Sequence, residues 1–181
     1  MASTPRTLTL QPTPEDVRIA RLATAAIVLS VAEAAIPLPL PGVKPGLGNI
    51  VVVLVALSYG WRAAVWVSGL RVLATSLVLG TFLAPGFFFS LGGALASLTM
   101  LAMTLRLPPR WFGPVTHSVL GSFAHLGAQL WIARCWLVPH DGVFYLLPVF
   151  AGSALLFGLV NGLVVGHLRP RFPVFSSSVM R

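Results

Sequence analysis

The amino-acid sequence predicts an all-α integral membrane protein with six transmembrane helices and a proline-rich non-helical segment between helices 1 and 2. Of its 181 residues, 56% are hydrophobic and only 9% are charged, which is too little polar surface for a water-soluble globule. Groups of Pro, Gly and Arg divide the apolar stretches. Because one span needs about 20 residues, this length accommodates six spans and no separate soluble domain.

The first three predicted spans surround the proline-rich segment. Span 1 runs from about residue 19 to 36 and ends at Pro37-Leu38-Pro39-Leu40-Pro41-Gly42, where alternate prolines forbid a continuing helix. Span 2, about 47–59, is short, and Gly60-Trp61-Arg62 separates it from span 3, which reaches about residue 82. The non-helical segment must therefore be buried in protein or line a cavity.

The remaining spans complete the predicted domain organisation. Span 4 covers about 87–105, span 5 about 113–137 and span 6 about 143–168. Turns rich in Pro, Gly and charge separate these spans. The sequence predicts three regions: a flexible cytoplasmic tail over 1–17, a six-helix membrane domain over 18–168 and a basic cytoplasmic tail over 169–181.

Positive charge predicts the orientation, because Lys and Arg are retained on the cytoplasmic side of a membrane. Nine of the twelve basic residues fall on one side of the predicted spans: Arg6, Arg18, Arg21, Arg62, Arg106, Arg110, Arg169, Arg171 and Arg181. Lys44 and Arg134 fall on the other side, and Arg71 lies within span 3. We expect a multi-pass protein of the inner (cytoplasmic) cell membrane with both termini in the cytoplasm.

Six polar residues in the outer half of the predicted bundle are candidates for binding a solute. A charge near the bilayer centre costs about 3 kcal/mol by insertion scales, so each one needs a partner or a water-filled cavity. Lys44 and Arg71 suit an anion such as a carboxylate or phosphate. Glu33 is expected either to contact the ligand or to pair with one of these cations. The candidates are Glu33, Lys44, Asn49, Arg71, His125 and Gln129.

Catalysis and metal binding have little support in the sequence. The two aspartates, Asp16 and Asp141, lie outside the predicted spans, so no aspartate pair can hold magnesium and a diphosphate. His125 and Gln129 lack a third metal ligand, and the lone Cys135 excludes a cysteine cluster. We predict no catalytic residue, no metal and no cofactor. The net charge of +8 arises from scattered arginines, which does not predict nucleic-acid binding.

Small residues recur at roughly four-residue spacing and predict close helix packing, since close backbone approach supplies the dispersion energy between helices in lipid. The stripes are Ala154, Gly158, Gly162 and Gly166 on span 6, Ser90, Gly93 and Ser97 on span 4, and Ala26, Ser30 and Ala34 on span 1. Packing within one chain and docking of a partner subunit both stay open. His117 and Asn161, nearer the cytoplasmic side, are expected to make interhelical hydrogen bonds.

One block of the sequence resembles a known family. Glu33-x-x-Ile36-Pro37-x-Pro39, followed by Pro41-Gly42-Val43-Lys44-x-Gly46-Leu47-x-Asn49-Ile50, is similar to the family labelled heptaprenyl diphosphate synthase component I, also called the Gx transporter family. Arg71 with Gly80, the span 4 stripe, Gly121-x-x-x-His125-x-x-x-Gln129 and Tyr145-x-x-Pro148 resemble its later blocks in the same order. The resemblance covers about residues 20–168. It departs from the family at Pro45, usually Leu, and at Leu126, usually Asn.

The resemblance implies a function in solute uptake. The family is similar to the substrate-capture S components of energy-coupling factor transporters, six-helix subunits that bind vitamins or their precursors from outside. Such subunits dock on a transmembrane coupling protein through small residues of the first helix, here Ala26, Ser30 and Ala34, while partner ATPases supply energy. We therefore expect a substrate-binding membrane subunit for a small anionic or aromatic cofactor precursor.

The family label implies an alternative function. The chain is then the non-catalytic membrane subunit (component I) of a polyprenyl (heptaprenyl) diphosphate synthase in quinone side-chain synthesis, and its partner is a soluble prenyl synthase subunit. In neither case is the chain itself expected to be an enzyme.

Overall fold

The computed structural model describes residues 11–36, 45–108, 110–138 and 140–172, and over these residues the chain is helical without a β-strand. This confirms the predicted all-α class. The six α-helices are α1 (Pro14–Ala34), α2 (Leu47–Tyr59), α3 (Trp61–Val78), α4 (Pro85–Thr104), α5 (Pro114–Ile132) and α6 (Leu147–Leu168). A π-helical turn, Ala133–Leu137, extends α5, and a 3-10 turn, Asp141–Leu146, precedes α6.

The helix ends follow local sequence signals, some of which shift the predicted boundaries. α1 begins at Pro14 rather than near residue 19, because Thr13 and Asp16 form a capping box that satisfies free amides of the first turn. α3 ends at Val78 rather than near residue 82, since Gly80 adopts a left-handed φ of +66°. α2 has the predicted bounds 47–59.

Neighbouring helices run antiparallel, as their contacts reveal. Gly158 of α6 lies against Val119 of α5, and Gly162 lies against Val115, so the residue numbers rise on one helix and fall on the other. Arg18, early in α1, stacks 5.1 Å from the ring centre of Tyr59, the last residue of α2. One end of the bundle, the arginine end, therefore holds the starts of α1, α3 and α5. The opposite end holds their C-termini and is called the cavity end, because the cavity described below lies near it.

α2 is the central helix. It packs against α1, α3, α5 and α6, and it is buried on almost every side, as expected for a helix that is apolar all round. Its 13 residues extend only about 20 Å at 1.5 Å per residue, which is less than the roughly 30 Å of a bilayer core. α2 begins inside the bundle at the cavity end, where Glu33 of α1 accepts hydrogen bonds from the amides of Gly46 and Leu47.

Length and composition allow two helical stretches to cross a membrane: Pro85–Thr104 and Phe144–Arg171. The shorter apolar helix is Leu47–Tyr59. The six crossings stay a prediction, as do the assignments of residues 1–17 and 169–181 to cytoplasmic tails.

Candidate functional site

A cavity of about 220 Å³ lies between the helices and brings the predicted polar residues together. Five of the six candidates line it: Glu33, Asn49, Arg71, His125 and Gln129. They come from α1, α2, α3 and α5, and their side chains converge although their sequence positions are far apart. The sixth candidate, Lys44, lies outside the described residues. The binding role of each residue stays a prediction.

Arg71 is the basic residue of the described cavity wall. Its side chain is only 9% exposed, and its Nε, shielded from solvent, has no hydrogen-bond partner. The guanidinium fits beside α2 because residue 48 is glycine: a Cβ there would lie 2.9 Å from both Cδ and Nη1 of Arg71. Gly48 therefore makes the space in which Arg71 turns toward the cavity.

Glu33 has a structural task that the sequence did not reveal. The carboxylate is 7% exposed and accepts hydrogen bonds from the backbone amides of Gly46, at 2.9 Å, and Leu47, at 2.7 Å. Gly46 precedes α2 and has no side chain to cap it, so Glu33 of α1 caps the helix instead. The positive end of the α2 dipole also stabilises the carboxylate. Ligand contact and pairing with Lys44 or Arg71 stay predictions.

Asn161 of α6 holds the same segment from the other side. Its Nδ2 donates to the carbonyl oxygen of Pro45 at 2.9 Å and lies 3.4 Å from that of Gly46. The expected hydrogen bond is therefore made, although to the backbone before α2 rather than to another helix. His117 makes the expected interhelical bond, with its Nδ1 2.8 Å from Thr104 Oγ1.

His125 and Gln129 form one polar group on α5. Their Nε2 atoms are 3.1 Å apart, so the Gln129 amide donates to an unprotonated Nε2 of His125. The His125 ring packs on Gly93 of α4, where a Cβ would lie 2.5 Å from Nε2. A small residue on α4 thus fixes the position of the imidazole beside the cavity.

The small residues predicted to dock a partner differ in burial. Ala26 is 0% exposed and Ser30 is half-buried, whereas Ala34 is exposed, and both Ser30 and Ala34 line the cavity. Gly158 and Gly162 of α6 contact the α5 backbone, while nothing lies within 4 Å of a Cβ at Gly166. Small residues thus serve packing inside this chain, and docking through the α1 stripe stays a prediction.

Sequence reasoning missed several lining residues. Thr75 lies four residues after Arg71 and its Oγ1 is likewise buried without a hydrogen-bond partner. Because residues four apart lie on the same face of a helix, the position of Thr75 relative to Arg71 could have identified it as a lining residue. The aromatic lining was also missed, and comprises Phe87, Phe150 and Phe157. No periodic pattern distinguishes these three from other phenylalanines of apolar helices.

The described wall carries hydrogen-bonding groups and aromatic rings. Among the residues of 11–36, 45–108, 110–138 and 140–172, no group of three or more His, Cys, Asp and Glu converges on a point where a metal ion fits. The described lining offers one guanidinium, one carboxylate already engaged by amides, several amides and hydroxyls, and aromatic rings. Such a set can form hydrogen bonds to a polar or anionic group and pack against an apolar one.

Over its described residues, the chain is therefore an all-helical protein with a polar cavity of small-molecule size. The chain belongs to the family described as heptaprenyl diphosphate synthase component I, whose pattern matches residues 22–168. This confirms the family to which the sequence block was assigned. Searches of curated proteins and of solved structures find no match to the chain.

Proposed function

We propose that this protein is the substrate-binding membrane subunit of an uptake transporter, and that it captures a small anionic or aromatic cofactor precursor in the cavity. The observation that carries the proposal is Arg71, buried in the cavity wall with an unpartnered Nε. A buried donor without a partner costs about 1–3 kcal/mol, and a charge in the bilayer centre costs about 3 kcal/mol. An anionic solute offsets both costs.

The volume of the cavity supports a small solute. A cavity of about 150 Å³ holds benzene, with its six non-hydrogen atoms, so 220 Å³ corresponds to roughly nine non-hydrogen atoms. A single-ring cofactor precursor fits this volume. A long polyprenyl chain does not fit inside it.

The surface supports a location in the membrane. Large apolar side chains are more than half exposed on four helices: Val28 on α1, Leu77 on α3, Leu95 on α4, and Leu156 and Leu163 on α6. Such exposure is costly in water and favourable in lipid. Exposed aromatic residues also lie near both ends of the bundle, with Trp61 and Trp111 at the arginine end and Trp131, Trp136 and Tyr145 at the other.

The charge distribution supports cytoplasmic termini. Within the described residues, the arginine end carries Arg18, Arg21, Arg62, Arg106, Arg110, Arg169 and Arg171, whereas the cavity end carries Arg134. The positive-inside rule then places the arginine end in the cytoplasm and the cavity toward the outside.

Thiol labelling tests this topology. Cys135 is the single cysteine and is exposed near the cavity end. We expect a membrane-impermeant maleimide to label Cys135 in intact cells. In a Cys135→Ser background, Arg110→Cys should react only after the cells are opened. Labelling of both in intact cells, or of neither, would contradict the six-span orientation.

We propose that the chain binds and does not catalyse. Glu33 is the acidic residue of the described cavity wall, and two amides already hold its carboxylate. A pair of carboxylates, which magnesium-dependent diphosphate chemistry needs, is missing from the described wall. ATP hydrolysis then belongs to partner ATPases, joined to this subunit by a transmembrane coupling protein.

Mass spectrometry of co-purified small molecules tests the proposal. Wild-type protein in mild detergent should retain a solute, and Arg71→Ala should lose it while expressing normally. Arg62→Ala is the matched control, because this exposed arginine lies on the same helix and away from the cavity. Lys44→Ala measures the contribution of the second predicted counter-charge. Equal solute retention by Arg71→Ala and Arg62→Ala would refute the site.

The family description favours a second candidate, the non-catalytic membrane subunit of a heptaprenyl diphosphate synthase. Co-purification under mild conditions separates the two. The uptake hypothesis predicts that a membrane coupling protein and ATPases are recovered with the chain. The synthase hypothesis predicts that a soluble, aspartate-rich prenyl synthase subunit is recovered instead.

A further inference from the structure

We infer that the solute is an aromatic carboxylate, bound by its carboxylate at Arg71 and Thr75. The inference rests on the proposed function and specifies its substrate class. It depends on the hydrogen-bonding state of α3, on the charges of the cavity wall and on the aromatic lining.

Arg71 and Thr75 are two unsatisfied donors on one face of α3. They are four residues apart, which places their side chains on successive turns of the same face. Both residues line the cavity, and both Arg71 Nε and Thr75 Oγ1 are buried without a hydrogen-bond partner. Rotation of the threonine about χ1 turns its hydroxyl toward a ligand oxygen beside Arg71.

Other threonines show that the state of Thr75 is unusual in this chain. In a helix, a threonine hydroxyl commonly donates to the carbonyl one turn earlier. Thr24, Thr99 and Thr104 do so, at 2.9, 2.8 and 3.0 Å. Thr75 has the same opportunity within α3 but makes no such bond. Its hydroxyl is therefore free to donate to a ligand.

The charge of the wall suits an anionic group at Arg71. Arg71 and Glu33 are the charged Arg, Lys, Asp and Glu side chains of the described lining. The two amides at the start of α2 and its helix dipole, equivalent to about half a positive charge, stabilise Glu33. The Arg71 Nε has no hydrogen-bond partner and can donate to an anionic oxygen of the ligand.

A carboxylate suits the guanidinium of Arg71, whose planar fork binds a carboxylate in a bidentate manner. A phosphate monoester carries about 1.5 to 2 negative charges at neutral pH. Its second charge would lie in a low-dielectric wall that also holds the Glu33 carboxylate.

The rest of the lining accounts for the aromatic body. Phe87, Phe150 and Phe157 contribute ring surface from α4 and α6, on which a planar ligand packs. On α5, the His125 and Gln129 pair offers hydrogen bonds to an uncharged polar substituent. A rigid ligand of roughly nine non-hydrogen atoms fits the volume.

A matched probe series tests the inference on the full-length protein in detergent. The probes are benzoate, its uncharged amide benzamide and phenyl phosphate, and calorimetry with a detergent blank measures Kd. We expect the carboxylate to bind more tightly than the phosphate, and about tenfold to a hundredfold more tightly than the amide, the range for one hydrogen bond to a charged group. Equal affinities for all three, or the tightest binding of the phosphate, would overturn the inference.

Thr75 variants make the test independent of Arg71. Thr75→Val keeps the shape and should weaken carboxylate binding about tenfold to a hundredfold, as for a lost hydrogen bond to a charged group, and Thr75→Ser should restore it. The control is Thr99→Val, whose hydroxyl bonds the Leu95 carbonyl on an exposed part of α4. If Thr75→Val binds like Thr99→Val, the assignment of Thr75 is wrong.

The outcomes separate this inference from the proposed function. If wild-type protein carries a co-purified solute that depends on Arg71 but binds none of the probes, the substrate class is wrong and the proposed function stands. If the protein neither carries a solute nor binds a probe, both fail.

Discussion

Gly48→Ala is the substitution whose effect follows most directly from the geometry of the cavity wall. A Cβ at position 48 would overlap Ser30 Oγ and would lie 2.9 Å from Cδ and Nη1 of Arg71. Real Cβ atoms essentially never approach heavy atoms within 3.0 Å, so Ser30 and the guanidinium must both shift. The methyl group therefore occupies the space in which Arg71 turns toward the ligand.

Two opposing effects set the magnitude of the stability change. Overpacking a filled site costs about 1–3 kcal/mol, while replacing this first-turn glycine with alanine gains at most the mid-helix value of about 0.5–1 kcal/mol. We expect a net loss of about 0.5–2 kcal/mol in the free energy of unfolding. Solute binding should fall by at least about tenfold, because a hydrogen bond to a charged group contributes about 1.5–3 kcal/mol.

Thermal unfolding in detergent and solute retention measure the two effects on the same sample. Gly69→Ala is the control, since nothing lies within 4 Å of a Cβ at that position of α3. A Ser30→Ala/Gly48→Ala double variant removes one of the two overlaps, so it should regain stability but not binding. The reasoning is refuted if Gly48→Ala matches Gly69→Ala in both measurements.

Three further predictions concern the supporting structure. Gly162→Ala should destabilise the protein by about 1–3 kcal/mol in thermal unfolding, because its Cβ would meet α5 backbone atoms at 2.5 and 3.2 Å, whereas Gly166→Ala should be neutral. Glu33→Gln should cost about 1–3 kcal/mol, since an NH₂ group then faces an α2 amide that needs an acceptor, and unchanged stability would contradict the capping role. Hydrogen bonds from Thr13 lower the pKa of Asp16, so the α1 cap should persist at neutral pH and weaken as the pH falls through the lowered pKa, which amide exchange in the first turn of α1 measures.

Periodicity and turn chemistry predicted the helices well where the signals were strong. Gly46 and Gly60 bracket α2, and the predicted 47–59 bounds hold. The start of α1 was missed because the capping box of Thr13 and Asp16 lies in a polar stretch that otherwise lacks periodicity. The predicted end of α5 included residues 133–137, which are helical but form a π-turn that hydropathy cannot distinguish.

The sequence predicted which residues form the site but not the hydrogen bonds that they make. Buried charge is costly enough in an apolar chain that Arg71 and Glu33 were visible in the sequence. The partner of Glu33 was not, because it is the backbone of Gly46 and Leu47, which any sequence supplies. Asn161 contacts Pro45 across more than a hundred residues, and only the depth at which α2 begins makes that bond possible.

An experimental structure of the protein with its co-purified solute tests the central claim most directly. The account predicts one small anionic molecule between α3 and α5, with an oxygen of the ligand within hydrogen-bond distance of the Arg71 guanidinium. A solute bound elsewhere on the protein, with Arg71 still unpartnered in the cavity wall, would contradict it.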